Sequence, residues 1–229
     1  MNEMKGYFTR GELALWGGSA GLILLSFALF DRGNHLTLLA SLVGVTSLIF
    51  NAKGNPAGQL LMVIFSLLYG VISWSFSYYG EMLTYLGMTM PMAVVALIAW
   101  LRHPYKGNRS EVKINRLGGR ELAFMWVLTA VATVVFYFVL EAFHTANLIP
   151  STLSVTTSFI AVYLTFRRSP YYAVGYAAND VILILLWVLA SFENRTYLSV
   201  AVCFAAFLVN DLYGFVNWRK MERRQAAGL

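Results

Sequence analysis

The chain has 229 residues, 59% hydrophobic, 15% aromatic and only 12% charged, with a net charge of +6. Soluble domains carry about 25% charged residues, so an ordinary water-facing surface is excluded. The basic residues flank apolar stretches and form no run with interleaved aromatics, which points to lipid headgroups and away from nucleic acid. One cysteine, Cys203, excludes a disulfide framework or a Cys-rich metal site.

Eight apolar stretches follow in order: 13–30, 36–50, 58–79, 82–101, 122–140, 151–166, 172–191 and 197–217. A membrane-crossing helix needs about 20 such residues, range about 17–25. The stretches 36–50 and 151–166 are shorter. They must borrow flanking residues or sit inside the bundle, where less apolar backbone is tolerated. Lys5 and Arg10 precede the first stretch as in a secretory leader. However, Phe30-Asp31-Arg32-Gly33 follows with no small-x-small cleavage pattern, so 13–30 is read as the first helix.

With eight crossings, alternate connections share a side, and fifteen of the seventeen Lys and Arg residues fall on one of them. Basic loops stay cytoplasmic. Both termini are therefore expected inside, in a multi-pass protein of a bacterial cytoplasmic (inner) membrane. The polar segment from His103 to Arg120 divides the chain. Each half then shows a short span, a basic loop with proline (Lys53-Gly54-Asn55-Pro56; Arg167-Arg168-Ser169-Pro170), a long span, a short outer turn (Gly80-Glu81; Glu193-Asn194-Arg195) and another long span. The expected fold is an all-α polytopic membrane protein with parallel repeats, three spans plus one plus three, preceded by an extra helix. Its parts are the N-terminal helix 1–35, a first three-helix bundle 36–101, a basic loop and linker helix 102–150, a second bundle 151–218 and a tail 219–229.

Polar residues at membrane depth mark the candidate site. At about 1.5 Å per residue, Asn179 and Asp180 lie roughly 10–12 Å inside the seventh span, and Asn210 and Asp211 at a like depth in the eighth. Thr156, Thr157 and Ser158 fall close to that layer. An intramembrane carboxylate costs about 2.5–3.5 kcal/mol unless it is paired or faces a cavity. Taken singly, either aspartate can equally cap backbone or pair with Arg167, Arg168 or Arg219; the whole layer favours a cavity. Thr89-Met90-Pro91 predicts a kink in the fourth span, whose freed carbonyl serves a polar site or mere packing. Tyr69, Trp74 and Trp187 are aromatic candidates, with the interfacial belt as the plainer reading for the two tryptophans. No His pair at metal spacing, phosphate loop or nucleophile elbow is present, so no catalytic residue, metal or cofactor is expected.

Several stretches together resemble the PnuC family of vitamin transporters: Tyr69 with Tyr79-Gly80-Glu81, Pro91-Met92 and Trp100; the connection Lys106-Gly107-Asn108-Arg109-Ser110-Glu111-Val112-Lys113; Asn179; and Asn210-Asp211-Leu212-Tyr213-Gly214 with Asn217-Trp218. The resemblance covers roughly 36–220. It implies a fold similar to the sugar-carrying SWEET proteins, a homotrimer, and facilitated uptake of nicotinamide riboside by alternating access, with thiamine, riboflavin or a nucleoside as alternative cargo and a non-transporting receptor as the remaining one. Many members carry Trp-x-x-Trp where this chain has Tyr172 and Gly175, and Asn-x-Tyr-Gly-Trp where it reads Met92-Ala93-Val94-Val95-Ala96. The expected binding set is Asn179, Asp180, Trp187, Asn210, Asp211, Tyr69, Trp74, Thr89 and Tyr213. An aromatic face attracts a pyridinium cation by about 1–2 kcal/mol. An inside-negative potential favours its entry by about 2.3 kcal/mol per 100 mV, so no coupled ion is expected.

Overall fold

The computed structural model describes residues 4–75, 78–145 and 147–228. Among them, eight helices are long and apolar enough to cross a membrane: α1 (Arg10–Phe30), α2 (His35–Ala52), α3 (Pro56–Ser75), α4 (Tyr79–Arg102), α5 (Gly119–Ala142), α6 (Leu148–Phe166), α7 (Tyr172–Ser191) and α8 (Leu198–Ala226). The two short spans do borrow from their flanks, reaching 18 and 19 residues.

Local chemistry sets most helix starts. Thr9 and Glu12 form a reciprocal capping box at α1. The Asn34 side chain accepts from the Thr37 N–H at α2. Pro56 opens α3, where its missing N–H costs nothing, and the Asn55 carboxamide oxygen accepts from Ala57 N–H beside it. Gly80 and Glu81, expected as a turn, are already helical in α4. The third span was expected to run to 79; α3 ends at Ser75, and 76–77 lie outside the described residues. The kink expected at Pro91 takes a definite form: a five-residue π-turn, Tyr85–Thr89, just before it. Widening the turn keeps the proline ring off the preceding carbonyls.

Six helices close a ring. α2 packs on α3, α3 on α4, α4 on α6, α6 on α7, α7 on α8, and α8 returns to α2. α1 lies outside the ring against α8 and α2, while α5 lies outside against α6. α5 is the most peripheral span, with 11% of its apolar window buried.

The polar segment after α4 is ordered. It holds an antiparallel hairpin, β1 (Pro104–Tyr105) and β2 (Asn108–Val112), turned through Lys106 and Gly107 at positive φ. Val112 is fully buried and its N–H donates to the Gly54 carbonyl. The last turns of α8 continue through the basic stretch and clamp this segment: Gln225 accepts from Ile114 N–H and donates to Val112 O, Arg224 pairs with Glu111, and Glu222 takes Arg116 and Arg219.

Candidate functional site

The ring encloses a small chamber lined by Leu48 of α2, Met62 and Phe65 of α3, Tyr85 and Thr89 of α4, Ser158 of α6, Tyr176, Asn179 and Asp180 of α7, and Phe204, Phe207 and Asp211 of α8. Helical spacing explains the lining. Tyr176, Asn179 and Asp180 stand at i, i+3 and i+4, and Phe204, Phe207 and Asp211 at i, i+3 and i+7, so each set shares one face. The free volume is about 20 Å³, room for about one water.

Asn179 is held in place. Its carboxamide oxygen accepts from Ser154 Oγ at 3.2 Å and Thr157 Oγ1 at 3.0 Å, both on α6. This fixes the amide orientation and leaves the NH₂ as the donor available to a solute. Asp180 and Asp211, 4% and 3% exposed, both line this chamber, and Asp180 Oδ2 has no partner. No Lys, Arg or His lines the chamber.

Aromatic rings wall the chamber toward the end far from the termini. Tyr69 lies 4.4 Å from the Tyr85 ring, 5.5 Å from Phe65 and 5.6 Å from Phe204. Its other side meets Trp187 at 6.3 Å, which packs at an angle against Tyr78 and edge-on against Tyr197. Trp187 and Tyr78 line a second, smaller chamber with Glu81, Thr145, Ser151 and Leu186. Burial, with Tyr197 and Glu193 nearby, pushes the Tyr78 phenol up to about 12, so it remains a hydrogen donor at neutral pH.

Toward the terminal end, tryptophans close the ring reciprocally. Trp100 of α4 donates its indole N–H to Thr165 O at the end of α6, 2.9 Å, and Trp218 of α8 donates to Asn51 O at the end of α2, 2.8 Å. Both rings are fully buried and their centroids are 5.4 Å apart. Beside them, Tyr172 packs on Trp218 at 4.8 Å, and Gly175 lets α6 approach so closely that a Cβ would lie 2.9 Å from Ala161 Cα. A tryptophan, as many family members have there, does not fit this crossing.

The structure therefore gathers Asn179, Asp180, Asp211 and Thr89 from the expected set, with Tyr69 and Trp187 just beyond. Three others lie elsewhere. Asn210 turns to α1, donating to Ser19 Oγ and Ala206 O, both at 2.8 Å. Asn210 stands about 100° around the helix from Asp211, and its bond to Ser19 holds it on the side that meets α1. Tyr213 also faces α1, donating to Glu12 Oε1 at 2.8 Å. Glu12 takes Lys53 Nζ at 2.9 Å as well, which clamps α1 to α2 and α8. Trp74 is 63% exposed on the ring's outer surface. Tyr85, Tyr176, Phe65, Phe204, Phe207 and Glu81 escaped sequence reasoning, although the α8 phenylalanines repeat at helical spacing from Asp211.

A larger concavity, about 510 Å³, is a mostly apolar groove among α5, α6 and α7. Its charged residues Arg116, Arg219 and Glu222 are spent on one another, so it lacks the unpaired polar groups of the central chamber.

A family model described as nicotinamide mononucleotide transporter matches residues 34–220. The nicotinamide riboside transporter PnuC of Neisseria mucosa is 28% identical over 206 residues, 86% of this chain and 76% of that protein. The Haemophilus influenzae protein of the same name is 23% identical over 190 residues, 82% and 81% of the two chains. The crystal structure of the vitamin B3 transporter PnuC is similar with a TM-score of 0.82 at 25% identity, covering 95% of this chain and 94% of that one. A match running from the turn before α2 into the basic end of α8, with the fold shared over nearly the whole length, leaves one assignment: the chain belongs to the PnuC family of transporters.

Proposed function

We propose that this chain is a bacterial inner-membrane carrier for uptake of nicotinamide riboside, and that the chamber around Asn179, Asp180, Asp211 and Thr89 is its substrate site. The observation that carries this is the small set of buried polar groups within the chamber's largely apolar wall. It offers two buried carboxyls, an oriented amide and aromatic faces, and among its lining residues no cationic side chain. A pyridinium nucleoside matches each feature: carboxylates and rings for the charge, amide and hydroxyls for carboxamide and ribose. The mononucleotide named in the family description adds a phosphate with no Arg, Lys or His in the chamber to receive it. Riboside is therefore the better cargo. Pockets for small solutes run to about 300–1,000 Å³, so α3, α4, α7 and α8 must separate to admit one, as alternating access requires.

The triplets α2–α4 and α6–α8, expected as bundles 36–101 and 151–218, supply the moving bodies in this reading, with α5 as linker, α1 as an addition and 219–229 as tail. The tryptophan closure supports a SWEET-like parallel repeat. In each triplet the third helix donates an indole N–H to the end of the other triplet's first helix. Both first helices end at the terminal side, where the basic residues cluster, which supports cytoplasmic termini. A homotrimer in the bilayer is part of the proposal; the exposed apolar surface of α5, including Val127, Val131 and Phe138, is available to lipid or a neighbouring copy.

Proteoliposomes test the reading. Labelled nicotinamide riboside should accumulate in counterflow, chemically unchanged, and be displaced weakly by the mononucleotide, thiamine or riboflavin. Displacement by thiamine or riboflavin at lower concentration would transfer the proposal to that vitamin. Binding without flux would make the chain a receptor, and consumption of the solute would make it an enzyme.

A further inference from the structure

α5 rests on α6 at the edge of the ring, and the cleft it leaves beside α7 is the groove of about 510 Å³, within the range of about 300–1,000 Å³ for small-molecule sites. Its wall is three stripes at i, i+4 spacing: Leu122 and Trp126 of α5, Ile160 and Leu164 of α6, and Val174 and Ala178 of α7. From Tyr171 to Ala178 it runs roughly 10 Å along α7. Leu122, Trp126, Val174 and Ala178 are exposed, so the groove opens outward. Its mouth lies at the basic end of the bundle and carries Asn115, Arg116, Arg219 and Glu222. Glu222 accepts from Arg116 Nε at 2.9 Å and from Arg219 Nη1 at 2.5 Å. One carboxylate facing two guanidiniums leaves one positive charge at the mouth, and the Arg116 side chain stays 70% exposed. Beside it, Arg168, whose carbonyl accepts from Asn115 N–H at 3.1 Å, buries an Nε with no hydrogen-bond partner among the described residues.

We propose that this groove holds one anionic phospholipid of the adjoining leaflet, with an acyl chain along Trp126 and Ala178 and the phosphate on Arg116. An apolar trough headed by an unbalanced cation matches an acyl chain below a phosphate, and basic pockets between spans take anionic headgroups. A second copy of the chain is the poorer match. In the same bilayer it presents its own basic end at the same level, where fifteen of the seventeen Lys and Arg residues lie, and like charges would meet at the mouth. The lipid fills the wedge between α5 and α7, which α6 alone otherwise bridges, so the peripheral helix is seated against both. Nothing in this depends on which cargo the chain carries.

Native mass spectrometry on the purified full chain, with phosphatidylglycerol or phosphatidylethanolamine of identical acyl chains added, counts bound lipid. About one phosphatidylglycerol per chain should be retained, bound about fivefold more tightly than phosphatidylethanolamine, the factor for one guanidinium near a headgroup. Arg116→Gln leaves Arg219 and Glu222 to neutralise each other, so the two lipids should then bind alike. Ala178→Phe, at an exposed position, should fill the trough and lower retention of both. Inorganic phosphate at millimolar concentration should displace neither lipid; full displacement would mean an anion site with no acyl component and overturn the proposal. Equal retention of the two lipids by the wild type overturns it as well, as does a preference that survives Arg116→Gln. If Ala178→Phe keeps its lipid but loses a copy on gel filtration, the groove belongs to an interface between chains and the proposal falls. Should a variant fail to fold, the wild-type comparison of the two headgroups decides. Riboside transport, present or absent, leaves this result untouched, so the two readings fail separately.

Discussion

Trp218→Phe and Trp100→Phe probe the reciprocal closure of the ring. Trp218→Phe deletes the donor to Asn51 O, 2.8 Å away; Trp100→Phe deletes the donor to Thr165 O, 2.9 Å away. Both rings are at 0% exposure, so water cannot take over. Each carbonyl keeps a backbone donor, Gly54 N–H on Asn51 O and Arg168 N–H on Thr165 O, so the lost indole bond costs about 0.5–1.5 kcal/mol, and the void left by the smaller ring adds on the order of 1 kcal/mol. Each variant should thus lose roughly 1.5–2.5 kcal/mol, and the two losses should be alike because the two bonds are counterparts. The rings lie 5.4 Å apart, so the double variant should depart from the sum. Thermal denaturation of the detergent-solubilised protein, followed by gel filtration, reads all three. Trp126→Phe on the exposed face of α5 serves as the control, since Trp126 is 57% exposed. One variant as stable as wild type beside a crippled partner would refute the equivalence and, with it, the support for paired triplets.

Other expectations separate site from scaffold. Asn179→Ala should weaken riboside binding about 5- to 150-fold, the equivalent of about 1–3 kcal/mol for an unpaired polar group, and should lower melting as well, because Ser154 and Thr157 lose their acceptor. Asn210→Ala should lower melting and leave affinity intact, because its partner is Ser19 on α1; a titration and a melt on each variant check the split. Trp74→Ala should leave affinity intact, since the side chain faces outward. Gly58→Ala should destabilise strongly: a Cβ there would lie 2.3 Å from Asn51 Oδ1 and 2.6 Å from Asn51 N, and overpacking costs about 1–3 kcal/mol or more. Gly18→Ala, with nothing within 4 Å, should melt like wild type.

What the sequence conveyed and what it hid have a common physical origin. Lipid makes every span advertise itself as a long apolar run, so all eight were readable and only their ends shifted, where caps such as Thr9, Asn34 and Pro56 decide the boundary. The hairpin at 104–112 carried no such signal, because its order comes from Val112 under Gly54 and from Gln225 reaching back from α8. Both are contacts between residues far apart in the chain. Tyr85 and Thr89 reach one chamber through a π-turn, which shifts the helical phase that periodicity relies on.

Asn210 and Asp211 make the limit sharper. Depth, the coordinate that hydropathy supplies, is the same for both to within one residue's rise of about 1.5 Å. Azimuth differs by about 100°, and azimuth is set by whichever neighbour occupies each face. α1 took the Asn210 and Tyr213 side, held there by Glu12, Lys53 and Ser19, and left Asp211 to the chamber. The buried polar residues of α8 thus divide between a helix-to-helix weld and the central chamber. The α8 register already held that division: Asp211 continues the Phe204–Phe207 face, and Asn210 and Tyr213 do not.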